Sequence, residues 1–126
     1  MAASDLNDTL ASFIEGAIHS VWALELLVLL RSEPRRGWTE QELVAALRAS
    51  GPLVSEILSS FEASGLAARR DSTFRYGPPP AIDDLCEALE AAYRERPVAV
   101  VNTIVRKRSG ALDGFADAFR FGGAKP

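Results

Sequence analysis

Residues 38 to 76 are punctuated so closely that they leave little freedom in local structure. Thr39-Glu40-Gln41-Glu42 has the spacing of a capping box, the Thr39 hydroxyl reaching forward while the Glu42 carboxylate reaches back. Behind it Leu43, Val44 and Leu47 fall on one stripe, which predicts a short helix from Thr39 to about Ala49. Ser50-Gly51 makes the turn, and Pro52 suits a first helical position, where its missing N–H has no partner to lose. The next helix buries Leu53, Val54, Ile57, Leu58 and Phe61 and turns Pro52, Ser55, Glu56, Ser59, Glu62 and Ala63 outward. Gly65 ends it as a C′ residue. Leu66 to Arg70 and Thr73 to Gly77 then read as two strands around Asp71-Ser72, and Pro78-Pro79-Pro80 closes the hairpin and stiffens the exit.

The flanks are helical. Leu6, Leu10, Phe13, Ile14 and Ala17 or Ile18 recur at helical spacing over residues 5 to 18, with Asp5 and Asp8 near the positive N-terminal end. Gly16 predicts a bend before Ser20. Val21 to Leu30 is apolar nearly all round, as a central buried helix or one covered by a partner chain would be, and Arg31 to Gly37 closes it. Glu25 inside that helix is expected to pair with an arginine or to lie at an interface. From Ala81 to Arg94 a narrow stripe of Ile82, Leu85, Cys86, Leu89 and Tyr93 opposes a face of Asp83, Asp84, Glu87 and Glu90. Val98 to Arg108 is rich in β-branched residues that suit a strand, yet Pro97 suits a helix start and Arg106-Lys107-Arg108 a helix end, so helix is the expectation. Leu112, Phe115, Ala116 and Phe119 make a last amphipathic segment.

Composition and missing motifs narrow the function. A chain of 126 residues has room for one domain with a real core, and 48 % hydrophobic with 25 % charged residues is the balance of an ordered globule. Net charge is −3, which argues against binding nucleic acid through bulk charge alone, although twelve of the fourteen basic residues are Arg. The single cysteine, Cys86, fits a reducing, cytoplasmic setting and reads as a small core residue. No basic stretch precedes an apolar run at the N-terminus, and Val21 to Leu30 is far short of the roughly 20 residues that span a bilayer. His19 is the only imidazole, best read as a surface or capping group, and it has no second His or Cys at zinc-ligand spacing. Phosphate-loop glycine motifs are missing, and the acid pairs at i,i+4 read as solvated faces. No catalytic residue, metal site or cofactor is therefore expected, and the chain is not read as an enzyme.

Taken in order, residues 19 to 80 resemble the winged helix-turn-helix superfamily of bacterial transcription regulators, in the broad MarR-like sense. The features are the capped helix with its Ser50-Gly51-Pro52 turn, the run Ile57-Leu58-Ser59-Ser60-Phe61-Glu62-Ala63-Ser64-Gly65-Leu66 feeding the hairpin, and the hairpin Arg69-Arg70-Asp71-Ser72-Thr73-Phe74-Arg75-Tyr76. The resemblance implies a mostly α fold with a small β-hairpin wing: an N-terminal helix over 1–18, the winged core over 19–80, and a C-terminal helical extension over 81–126, all one compact domain. It implies that Ser55 and Ser59, with Pro52 and Glu56 beside them, face bases of duplex DNA. Arg69, Arg70 and Arg75 then meet the phosphate backbone, flanked by Arg48 and Arg35-Arg36. A homodimer is implied as well, its interface drawn from Leu6, Leu10, Phe13, Leu112, Phe115 and Phe119; the alternative is that these stripes complete a monomer core.

Two functional readings follow. Three arginines around one hairpin suit bidentate contacts to phosphate, which favours a DNA-binding regulator. Against that, the helix from Gly51 to Gly65 has no Lys or Arg and carries Glu56 and Glu62. Serine discriminates poorly among bases, and arginine on guanine, the commonest specific contact, has no counterpart there. The second reading is therefore a winged-helix module that binds a protein partner. A ligand-responsive regulator has no residue-level signal of its own.

Overall fold

The computed structural model describes residues 7 to 106, which form six helices and a small antiparallel sheet. Helix α1 (Asp8–Ala17) starts where the Asn7 side chain accepts from the Leu10 N–H at 2.7 Å, with Asp8 in its first turn. It stops at Ile18, whose backbone is extended, and the chain turns through 102° before α2 (Val21–Ser32). The Ser20 hydroxyl caps α2 by accepting from the Ala23 N–H at 3.1 Å, so the bend expected near Gly16 is made by two capped ends. His19 sits at that corner, exposed, its Nε2 3.2 Å from the Gly16 carbonyl oxygen. Helix α2 is the central one, with Ala23, Leu24, Leu26, Leu27 and Leu30 buried. It runs through Arg31 to Ser32, two residues beyond the end the sequence pattern gives, and the helical backbone gives Arg31 a fixed direction.

Helix α3 (Glu40–Leu47) opens on the complete capping box: Glu42 N–H to Thr39 Oγ1 at 3.1 Å and Thr39 N–H to Glu42 Oε1 at 2.9 Å. Helix α4 (Gly51–Ser64) is capped by the Ser50 hydroxyl and ends at Gly65, whose φ of 83° is the left-handed conformation that glycine adopts without strain. Its inner face is Val54, Ile57, Leu58 and Phe61.

The sheet has one strand more than the sequence pattern shows. Strand β1 (Trp38–Thr39) pairs antiparallel with β3 (Thr73–Tyr76), which also pairs with β2 (Ala67–Arg70), giving the order β1-β3-β2. Two residues are too few to show alternation, and Thr39 carries the stronger signal of a helix cap. Gly37 lets β1 in: a Cβ there would lie 2.9 Å from Thr73 Oγ1. Asp71 and Ser72 join β2 to β3, Asp71 taking a φ of 57° that its short polar side chain tolerates.

Helix α5 (Pro80–Glu95) leaves the sheet through Gly77-Pro78-Pro79, and α6 (Pro97–Arg106) follows after Arg96. The β-branched run of α6 is helical: the Val100 N–H bonds to the Arg96 carbonyl, while Val100 and Ile104 enter the core. One cluster of buried side chains runs from Leu10 and Ile14 of α1 through α2, α3, α4 and the sheet to Cys86, Leu89, Val100 and Ile104. Among the described residues no single helix is long and apolar enough to cross a membrane.

Phe61, fully buried where α4 meets this cluster, tests the packing. Phe61→Ala is expected to lower the unfolding free energy by about 3–5 kcal/mol. Ser59→Ala, on the exposed side of the same helix, is expected to change it by under about 0.5 kcal/mol; urea denaturation followed by circular dichroism measures both.

Candidate nucleic-acid interface

The register of the hairpin divides its side chains between two faces. Directly paired residues share a face, so Ala67, Arg69, Phe74 and Tyr76 lie on one side and Ala68, Arg70, Thr73 and Arg75 on the other. Buried Ala67 and Phe74 mark the first as the inner face. The three hairpin arginines are therefore not equivalent. Arg69 is on the inner face, its guanidinium 4.8 Å from the Phe74 ring centroid and its Nε 3.3 Å from Glu62 Oε2 of α4. It links hairpin to helix and cancels one of the two α4 carboxylates. Arg70 and Arg75 are on the outer face, the first exposed and the second half-exposed, and neither makes an ion pair among the described residues.

Beside the hairpin, α4 turns Pro52, Ser55, Glu56, Ser59 and Ala63 to solvent, as its spacing predicts. Helix and hairpin together hold three arginines against Glu56, Glu62 and Asp71, so the region is neutral by count. Its polarity comes from arrangement: the outer strand face carries two cations and no acid. Arg48 adds an exposed charge at the end of α3, held there by its own left-handed backbone at a φ of 56°. Arg36 is engaged elsewhere, stacked 3.5 Å from the Trp38 ring centroid and paired with Glu33 and Glu42, while Arg35 is exposed.

Behind the hairpin lies a polar seam that the sequence pattern does not reveal. Arg31 of α2 donates from Nε to Glu90 Oε1 at 2.8 Å, and from Nη1 to Asp83 Oδ1 at 3.0 Å and to the Tyr76 hydroxyl at 2.7 Å. The Tyr76 hydroxyl in turn donates to Asp83. Burial works against the Arg31 charge, but the hydrogen bonds it donates to Glu90 and Tyr76 outweigh it and hold the guanidinium more firmly protonated than usual. Burial, then the bond to Asp83, pushes the Tyr76 hydroxyl far above its ordinary range. Cys86, fully buried beside this group, has its thiol pushed up by desolvation, as suits an inert core residue.

The seam corrects two expectations. Asp83 and Glu90 are not unpartnered surface acids as expected: seven residues apart and two turns from each other, both reach Arg31, Asp83 with its side chain still 46 % exposed and Glu90 more covered. Glu25 pairs with no arginine among the described residues but accepts a 2.7 Å hydrogen bond from the Tyr93 hydroxyl, which raises the Tyr93 pKa. One signal was available in the chain: Arg31 is the only cation of a helix that is otherwise apolar but for Glu25 and Ser32.

Of the residues expected at a dimer interface, Leu10 is 5 % exposed within the chain's own core and Phe13 is half-buried against it. Leu10 thus completes the monomer core, as the alternative has it. Leu6, Leu112, Phe115 and Phe119 lie outside the described residues. No group of three His, Cys, Asp or Glu among the described residues is placed to hold a metal ion.

Comparison with protein-family models and with curated proteins finds no match. Solved structures do match. The fold is similar to that of MepR, a transcription regulator of the Staphylococcus aureus multidrug efflux pump MepA, at 18 % identity and a TM-score of 0.54, over 90 % of this chain and 87 % of that one. A MepR mutant from a multidrug-resistant S. aureus clinical isolate matches at 19 % identity and a TM-score of 0.53, over 94 % of this chain and 93 % of that one. At such identity the likeness establishes the winged-helix fold, as the residue pattern implies.

The Arg69–Glu62 pair is solvent-exposed enough to be weak. A double-mutant cycle with Arg69→Ala and Glu62→Ala, read by thermal unfolding, is expected to give a coupling of about 0.2–1 kcal/mol.

Proposed function

We propose that this protein is a winged-helix transcription regulator that binds duplex DNA, holding the phosphate backbone through Arg70 and Arg75 on the outer face of its wing. The observation that carries the reading is the sorting of charge across the hairpin. Arg69, though its side chain is 54 % exposed, is paired with Glu62 and lies over Phe74, whereas the outer face presents two guanidinium groups with no acid between them. Guanidinium is suited to bidentate contact with phosphate oxygens. The shared fold of MepR, itself a transcription regulator, supports the same assignment.

In this reading α4 lies in the major groove with Ser55 and Ser59 toward the bases and Arg48 at its flank. Serine donates or accepts at several base edges, so most of the binding energy comes from phosphate contacts, and base discrimination is modest. The protein acts as a two-fold dimer, which places two wings on successive turns of the duplex. Support for a second copy comes from α6, where Val98 is 69 % exposed, Val105 is 48 % exposed and Val101 lies between them on the same stripe.

A second reading, a winged-helix module for a protein partner, is favoured by one observation: α4 offers no basic side chain and exposes Glu56. A salt titration separates the two. Wild-type protein is expected to bind duplex DNA at low salt, with log K falling steeply against log salt. Replacing both Arg70 and Arg75 with Ala removes four cations from the bound dimer and is expected to reduce that slope by roughly 4, about 0.9 for each phosphate left without its cation. Failure of the wild type to bind at low salt, with a protein partner recovered by pull-down, would establish the second reading. Val98→Asp with Val105→Asp is expected to convert the dimer to monomer in sedimentation equilibrium while the fold is retained.

A further inference from the structure

We infer that Arg31 is a positioning residue for duplex binding: it touches no DNA, but fixes the angle at which the wing presents Arg70 and Arg75. This rests on the duplex-binding reading above. Strand β3 ends at Tyr76, and beyond it the chain reaches α5 through Gly77-Pro78-Pro79. The inner face of the hairpin is held mainly by Ala67, Phe74 and Trp38, whose apolar contact is strong but without direction. Backbone pairing with Trp38 and Thr39 of β1 directs the Thr73 end of β3, and a side-chain junction directs the other end, at the base. The Tyr76 hydroxyl accepts from Arg31 and donates to Asp83, so the last residue of the wing is joined to α2 and α5 by hydrogen bonds that weaken steeply when bent.

One guanidinium makes this arrangement. Its Nε holds Glu90 and its Nη1 holds Asp83, two turns apart on α5, while the same Nη1 holds Tyr76 on the hairpin. Glu25 and Tyr93 tie α2 to α5 a second time, so α5 cannot swing about Arg31 alone. The lever is long enough to matter. From Thr73, which β1 holds, to Tyr76 the strand rises roughly 10 Å, so a tilt of about 10° about the β1 pairing moves the Tyr76 end by about 2 Å. Charge-assisted bonds to phosphate hold their donors at about 2.7–2.9 Å and do not survive that displacement. Arg75 is next to Tyr76 in the strand and on the opposite face, so it turns with any rotation of the base.

Removal of the guanidinium has a signature distinct from removal of a phosphate-binding group. Without Arg31 the free wing samples several tilts, and only a fraction of molecules is ready to bind. The apparent dissociation constant rises by the inverse of that fraction. The bound state keeps the same phosphate contacts, and with them the same salt slope.

The test measures affinity and salt slope on a fluorescent duplex of mixed sequence, about 30 base pairs long, for wild type, Arg31→Met, Tyr76→Phe and Arg70→Ala. Arg31→Met keeps an apolar stem, and Tyr76→Phe keeps the ring while removing the bridging hydroxyl. Circular dichroism establishes the folded fraction of each. Arg31→Met is expected to weaken binding by roughly tenfold with the wild-type slope, Tyr76→Phe by a smaller factor with that same slope, and Arg70→Ala, which removes one contact from each wing of the dimer, to lower the slope by about 2. Wild-type affinity in folded Arg31→Met would overturn the inference, and so would a reduced slope, because Arg31 would then be a phosphate contact itself. If Arg31→Met does not fold, Tyr76→Phe decides by the same two readings. A wild type that does not bind the duplex at low salt overturns the duplex reading, and this role for Arg31 goes with it.

Discussion

A guanidinium taken partly out of water at the junction of three elements is the constraint around which this molecule is arranged. The Arg31 side chain is 18 % exposed and keeps its charge because Glu90, Asp83 and Tyr76 supply acceptors at 2.7 to 3.0 Å. Removing any one of them leaves a desolvated polar group without its partner, a larger loss than the net worth of one hydrogen bond. Apolar burial drives the association of α2, α5 and the sheet, but apolar contact tolerates sliding. The seam selects one alignment among those the core would accept, with Glu25 and Tyr93 as a second fixed point. The oddly placed acid of α2 and the arginine at its end thus belong to a single device.

The same sorting of charge runs through the wing. Alternation along a strand sends neighbouring arginines to opposite faces, so Arg69 and Arg70 have different employment although they are adjacent in sequence. Arg69 covers Phe74 and satisfies Glu62; Arg70 and Arg75 are left to the outer face. A region that is neutral by count thereby acquires a cationic side. Net charge and residue counts describe such a surface poorly, and the register decides.

The elements governed by local chemistry were legible in the chain. The Thr39 capping box, the Gly65 stop, the Asp71-Ser72 tip and the helix after Pro97 all rest on backbone preferences that act within a few residues. What escaped depends on distant partners. Trp38–Thr39 is a strand only because Phe74 and Thr73 lie alongside. Glu25 meets a tyrosine 68 positions away, and Arg31 meets Glu90 across 59. Nothing local separates Asp83 and Glu90, which pair with Arg31, from Asp84 and Glu87, which do not, because all four suit the polar side of an amphipathic helix. The exposed serines of α4 were legible as a face, whereas the difference between Arg69 and its neighbours appeared only with the strand register.

The most direct measurement of this sorting is the arginine side-chain spectrum of isotopically labelled protein during titration with a DNA duplex. The Nε–H signals of Arg70 and Arg75 are predicted to shift most as duplex is added, while that of Arg69, on the other face of the strand, shifts least. Unmoved signals from Arg70 and Arg75, or an Arg69 signal that moves as far as theirs, would contradict this division of roles.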